Sequence, residues 1–190
     1  MATKAILMMC GQPHAKQRSE RLWHRGPRAQ YVCPCEHEGT RCFSHVDAAI
    51  RLARERRAPV LVFGDAFRDH ADVRAFVKRA VHAGVEAMGL LCTIGPADVY
   101  AGVQTAAHVL AQEKAFVSVN TICLLADPWG IPLIAPMAQA ALQKPRAADD
   151  KPFVLETIPV NLCWRPTKTV LREGRRQLRA FLRQRGLPVP

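Results

Sequence analysis

Cysteine, glycine, aspartate and asparagine recur in this chain at one kind of place, directly behind short apolar runs. Cys10, Gly11 and Gln12 follow the run 5–9, Gly64 and Asp65 follow 60–63, and Thr93, Gly95 and Asp98 follow 87–92. Asp127 and Trp129 close the run 116–126, and Asn161 closes 154–160. Glycine lets backbone approach a bound molecule closely, and the start of a following helix favours an anion. The aspartates would then supply polar or general-base contacts. The same residue types make turns and caps for purely local reasons, so both uses are open at each position.

A second group lies in the polar stretch 12–43. Cys33, Cys35, Cys42 and His45 offer thiolate and imidazole ligands of the kind zinc takes in structural sites. Their spacing, C-x-C-x6-C-x2-H, is not the usual paired C-x2-C arrangement. Zinc, an exposed thiol pair and unliganded thiols are therefore three open readings. The same stretch carries Lys16, Arg18, Arg21, Arg25, Arg28 and Arg41, and is expected to fold as a lid over the first strand end or as a solvated loop. Arginines placed there would suit carboxylate or phosphate. Cys10 as a nucleophile lacks an identifiable base, and a buried apolar cysteine is the competing reading. The histidines at 70, 82 and 108 read as structural, since each falls within a helical pattern with no catalytic neighbour in sequence.

The elements that must hold the first group are five apolar runs alternating with amphipathic stretches. Strands are expected at 5–9, 60–63, 87–92, 116–126 and 154–160. Val46, Ala49, Ile50 and Ala53 share one helical face, with Ser44 as cap and Asp47 three residues on as a weak capping box. A second helix opens at Asp69 and ends at Gly84, and a third, introduced by Asp98, presents Val103, Ala106, Ala107 and Leu110. The fourth contains Pro132 and Pro136, which a helix accepts without penalty only in its first turn. The last spans about 167–185. Repeated βα units with near-continuous apolar strands mean a mainly parallel sheet covered on both faces. The expected fold is a three-layer, doubly wound α/β domain over 1–190, Rossmann-like in strand order with a flavodoxin-like order as alternative. In such sheets ligands bind outside the carboxyl ends of the strands, which is where the first group lies.

Composition agrees with a globular chain, with 49% hydrophobic and 23% charged residues in 190. No apolar run approaches the roughly 20 residues that cross a bilayer. The first residues lack the pattern of a secretory signal, so a cytoplasmic location with reduced cysteines is expected. The formal charge of +11 is uneven. Between 165 and 185, eight basic residues stand against one acid, Glu173.

The order of these features resembles a bacterial family, typified by SanA and YdcF, of Rossmann-like domains with a phosphate-friendly loop after the first strand. The resemblance runs from Lys4 to about Leu142. The family's Gly-Gly after strand one looks like Cys10-Gly11, and its arginine-led helix motif like the region 46–52. Its Ser-Gly-Gly after strand two is similar to Phe63-Gly64-Asp65. The Asn-Thr-x-Glu-Asn run opening its third helix is met only by Asp98-Val99-Tyr100-Ala101-Gly102. Where it reads roughly Thr-Ser-x-x-His-Met-x-Arg-Ala, this chain has the stretch 126–134, with Gly130 in place of His and Leu133 in place of Arg. The resemblance implies the scaffold, and at those two positions it implies a different ligand or a lost activity.

The leading expectation is a small anionic or nucleotide-like ligand, such as a nucleotide or S-adenosylmethionine, bound at the strand rim. The alternative is a non-catalytic binding protein that contacts nucleic acid or another acidic partner through the basic terminal helix. Standard P-loop, GxGxxG, nucleophile-elbow and HExxH motifs are absent from the sequence.

Overall fold

The computed structural model describes residues 3–10, 44–67, 69–93, 98–126, 128, 130–143, 152–160, 168–186 and 189. The strands are β1 (Lys4–Met9), β2 (Val60–Asp65), β3 (Ala87–Cys92), β4 (Thr121–Ala126) and β5 (Val154–Pro159). The helices are α1 (Ser44–Arg56), α2 (His70–His82), α3 (Val99–Gln112), α4 (Ile131–Gln143) and α5 (Lys168–Gln184). All four strand pairings are parallel and the order is β3-β2-β1-β4-β5. This is the Rossmann-like order, so the flavodoxin-like alternative is set aside.

Strand alternation divides the core in two. Ala5, Leu7 and Met9 of β1, Leu61 and Phe63 of β2, and Ile122 and Leu124 of β4 face α3 and α4. Ile6, Met8, Val60, Val62, Cys123 and Leu125 face the other way, and α1 and α2 pack on that layer. The helical stripes legible in the sequence fill both layers: Val46, Ala49, Ile50 and Ala53 are buried, as are Val103, Ala106, Ala107 and Leu110. Each fully buried Leu or Val removes roughly 1.5–3 kcal/mol of apolar exposure, which is why the sheet centre is almost wholly aliphatic.

Helix ends are fixed by short-range chemistry. At the end of α2, Gly84 has φ +76, its N–H reaches the Val81 carbonyl at 2.9 Å, and the Val85 N–H reaches Ala80 at 3.0 Å. That is a Schellman ending, with buried Val85 beside buried Ala80 as its apolar contact. At α1 the same left-handed position is held by a side-chain-bearing residue, Arg57 with φ 51, and the Ala58 N–H closes on the Ala53 carbonyl at 3.0 Å.

Two local expectations need correction. β4 begins at Thr121 rather than 116, because Lys114–Phe116 is a 3-10 turn whose Phe116 tucks into the core while Val117 is 70% exposed. Asp47 ties α1 to α2, its carboxylate accepting from Arg79 Nε at 2.9 Å and NH2 at 2.8 Å, while the side chain of Ser44, the other half of the expected capping box, lies outside the described residues. Pro136 sits inside α4, beyond its first turn, whereas Pro132 is in the first turn. The bond forfeited by the missing Pro136 N–H would have gone to the carbonyl of residue 132, near the helix start.

The basic C-terminal segment forms α5, which packs on α4. Leu178 and Leu182 are buried beneath it, and Phe181 meets Tyr100 of α3 edge-on at 5.5 Å. No helix among the described residues is long and apolar enough to cross a membrane.

Candidate functional site at the carboxyl rim of the sheet

Strand order reverses between β1 and β4, and the rim residues described around that point belong mainly to β1, β2 and the turn after β2. The Cys10 amide donates to the Phe63 carbonyl at 2.6 Å, so the backbone leaving β1 is held to β2. The Cys10 thiol is buried in the layer under α1 and α2. That is the apolar-cysteine reading, not an exposed nucleophile.

Gly64 stands where three elements converge. A Cβ on it would lie 2.8 Å from Val73 Cγ2, 2.9 Å from Asp69 Cβ and 3.0 Å from Cys10 Cβ. Its missing side chain is thus used for the close approach of β1, β2 and α2. The next residue, Asp65, ends β2 and starts a tight turn. Its Oδ1 accepts from the Phe67 N–H at 2.9 Å, and its own N–H donates to Asp69 Oδ2 at 3.0 Å. The Asp69 N–H in turn reaches the Asp65 carbonyl at 2.8 Å, and the Ala66 N–H reaches Cys92 of β3 at 2.9 Å. The loop is therefore wound on its own carboxylates, in the manner of Asx turns.

Two features of this turn were not read from the sequence as site residues. Asp69 is 4% exposed, the one buried charged residue among those described, and it holds the turn from beneath. The signal was present in Gly64-Asp65 followed four residues later by a second Asp. Phe67, at the crest of the same turn, is 89% exposed. An aromatic ring left bare beside a strand's carboxyl end is not explained by packing.

Asp98 caps α3, its Oδ1 accepting from the Ala101 N–H at 2.8 Å, and Thr93 is exposed just past β3. The rim carboxylates at 65 and 98 each accept a backbone N–H, Asp65 within its own turn and Asp98 as the cap of α3. Gly11, Gln12, Gly95, Asp127, Trp129 and Asn161 lie outside the described residues. So do Cys33, Cys35 and Cys42 and the side chain of His45, so the zinc reading falls there too. The lid reading of 12–43 is likewise outside.

The strongest charge cluster is elsewhere, in the amino-terminal half of the sheet. Glu156 of β5 accepts from Lys4 Nζ at 2.6 Å and from Arg56 NH1 at 2.8 Å. The Cys123 thiol lies 3.5 Å from the same carboxylate and 3.4 Å from Arg56 NH1. The bonds from Lys4 and then Arg56 hold the Glu156 carboxyl down at about 2. Burial, followed by the neighbouring Glu156 charge, pushes the Cys123 thiol up to about 11. A thiol so placed is protonated at neutral pH and is no nucleophile. Glu156 was visible as the single charge within an apolar strand, which is a demand for inward partners.

Comparison with family models, with curated proteins and with solved structures finds no match to this chain. The reading of the site therefore rests on topology and side chains alone.

Proposed function

We propose that the chain binds a small, anionic, nucleotide-like molecule at the carboxyl rim, on a scaffold of the SanA/YdcF kind. The observation that carries the reading is the pairing of Asp65 with bare Phe67 at the end of β2, one strand from the reversal point. In dinucleotide-binding sheets, an acidic residue near this position takes ribose hydroxyls and the anion lies at the reversal crevice. A carboxylate has room for about four hydrogen bonds, so Asp65 retains acceptor capacity beyond the Phe67 amide. Phe67 offers its face to a flat heterocycle. The first turn of α4 carries no acidic residue that would oppose an anion there.

The test is calorimetric titration and thermal shift with ATP, NAD, S-adenosylmethionine and a sugar phosphate. At least one should raise the melting temperature. Phe67→Ala and Asp65→Asn should each weaken that ligand by about tenfold, on the scale of one lost stacking or charged contact. Silence from the whole panel at millimolar concentration defeats the proposal, as does a ligand whose affinity both variants leave unchanged.

A further inference from the structure

The outer face of α5 carries a charge pattern that the rim reading does not use. Lys168, Arg172, Arg175, Arg176, Arg179 and Arg183 line one open groove along the helix surface, with Ala180 beside them. At 100° per residue these six positions fall within an arc of about 100°, and at 1.5 Å per residue they extend over about 22 Å. The cations repeat at i, i+3 and i+4, so like charges are frequent among their nearest neighbours on the helix, with Glu173 three residues before Arg176 the exception. That arrangement opposes helix formation unless an anion relieves it. Glu173 is the only acid in α5.

On the described part of its other side, over the carboxyl-terminal half, the helix is already occupied. Leu178 and Leu182 are buried, Phe181 packs on Tyr100, and Arg185 just past the helix lies 3.9 Å from the Tyr100 ring centre. A docked apolar face is not free to enter a bilayer, as an interfacial helix requires. The partner must therefore be recognised by charge alone, in water, along a line. A nucleic-acid strand places one phosphate per about 3.4 Å of axis, so about six phosphates span the stripe. Among the described residues no aromatic side chain lines the groove to act as a stacking platform for unpaired bases.

We propose that the outer face of α5 binds the phosphate backbone of double-stranded nucleic acid, without reading base sequence. This stands on different residues from the rim reading and does not depend on it.

The experiment uses the full chain and a fluorescently labelled 20-base-pair duplex, with anisotropy read between 50 and 200 mM salt. Six phosphate contacts give a slope of log K against log salt of about −5, and two unrelated duplex sequences should bind alike. The variant Arg172→Gln/Arg175→Gln/Arg179→Gln keeps good helix formers at all three positions. It should bind at least 100-fold more weakly at 100 mM salt and flatten the slope by about 3, with its far-ultraviolet circular dichroism unchanged. Arg51→Gln/Lys78→Gln, on α1 and α2, should stay within twofold of the parent. No duplex binding at 50 mM salt overturns the proposal, as does a triple variant that is folded and binds equally well. Equal loss in the α1/α2 variant overturns it in favour of diffuse net charge. Binding to phosphatidylserine vesicles in the absence of duplex binding overturns it in favour of a lipid surface.

Discussion

Glu156 and Arg56 meet at 2.8 Å and so join the edge strand β5 to the last turn of α1, with β1 and β4 between them in the sheet. Lys4 of β1 completes the bridge from the other carboxylate oxygen at 2.6 Å. The cluster spans three strands and a helix that are 152 residues apart at their extremes. Because the groups are half-buried, the pairing is worth more than a surface bridge and breaking it leaves charge behind.

The first consequence is a pH dependence with a definite sign. The Glu156 carboxyl is lowered from 4.5 to about 2 in the folded chain. Its contribution is thus complete above the unfolded value near 4.5 and is lost as pH falls toward 2. Glu156→Gln should destabilise by about 1–2 kcal/mol at pH 6. Urea melts of parent and variant should converge as pH falls from 4.5 toward 2. A gap at pH 2.5 as large as that at pH 6 would show that the carboxylate charge is not what stabilises.

The second concerns the thiol in the same cluster. Cys123 is fully buried and its thiol stands at about 11, so at pH 8 only a trace is thiolate. Alkylation with iodoacetamide, mapped by mass spectrometry, should leave Cys123 unmodified in the native chain and modify it in denaturant. Native labelling of Cys123 as fast as that of half-buried Cys92 would contradict the arrangement.

These two groups also show where sequence reasoning stopped. The parallel sheet, its five strands, the helix stripes and the Gly84 ending follow from periodicity and turn chemistry, which act over a few residues. Glu156 was passed over within the apolar run 154–160, and its partners Lys4 and Arg56 come from strand order and register, which no local pattern encodes. The rim was located by topology, whereas the division of labour within it was not legible. Gly64 proved to be crowded by Val73 of α2 and by Asp69 just before that helix, and Asp98 proved to be a cap. Residues 116–119 misled because Phe116 and Val119, each buried on its own while Val117 between them is exposed, show the same apolar run as a strand.

Gly64→Ala is the sharpest probe of rim packing. The added methyl would sit 2.8 Å from Val73 Cγ2 and 2.9 Å from Asp69 Cβ, and the second contact is close to backbone. Destabilisation of about 1–3 kcal/mol is expected from overpacking. Val73→Ala removes one of the two clashing atoms, so the double variant should be less destabilised than the sum by at least about 0.5 kcal/mol. Strict additivity in urea melts would show that β2 and α2 separate freely at this point.

Arg57→Gly should stabilise the chain. A side chain at φ 51 costs roughly 1–2 kcal/mol relative to the right-handed region, and glycine removes that strain at some cost in unfolded-state entropy. The net gain expected is about 0.5–1 kcal/mol, read as a higher urea midpoint with unchanged slope. Loss of stability would mean that the Arg57 side chain contributes more than its backbone strain removes.

The attachment of α5 can be tested apart from its charge. The Arg185 guanidinium lies 3.9 Å from the Tyr100 ring centre and 4.7 Å from that of Phe181, while the two rings meet at 5.5 Å and 60°. Arg185 is exposed, so its stacking is worth about 0.5–1 kcal/mol, whereas the Phe181 ring contributes buried area as well. Arg185→Ala should raise the open population of α5 only a few-fold, and Phe181→Ala by more than tenfold. Native-state hydrogen exchange over 175–184 reads that order directly. The two variants should leave exchange in β1 and β2 untouched, because α5 rests on α3 and α4 and not on the sheet centre. Equal exchange in both variants, or none above the parent, would place the helix's anchorage in Leu178 and Leu182 alone.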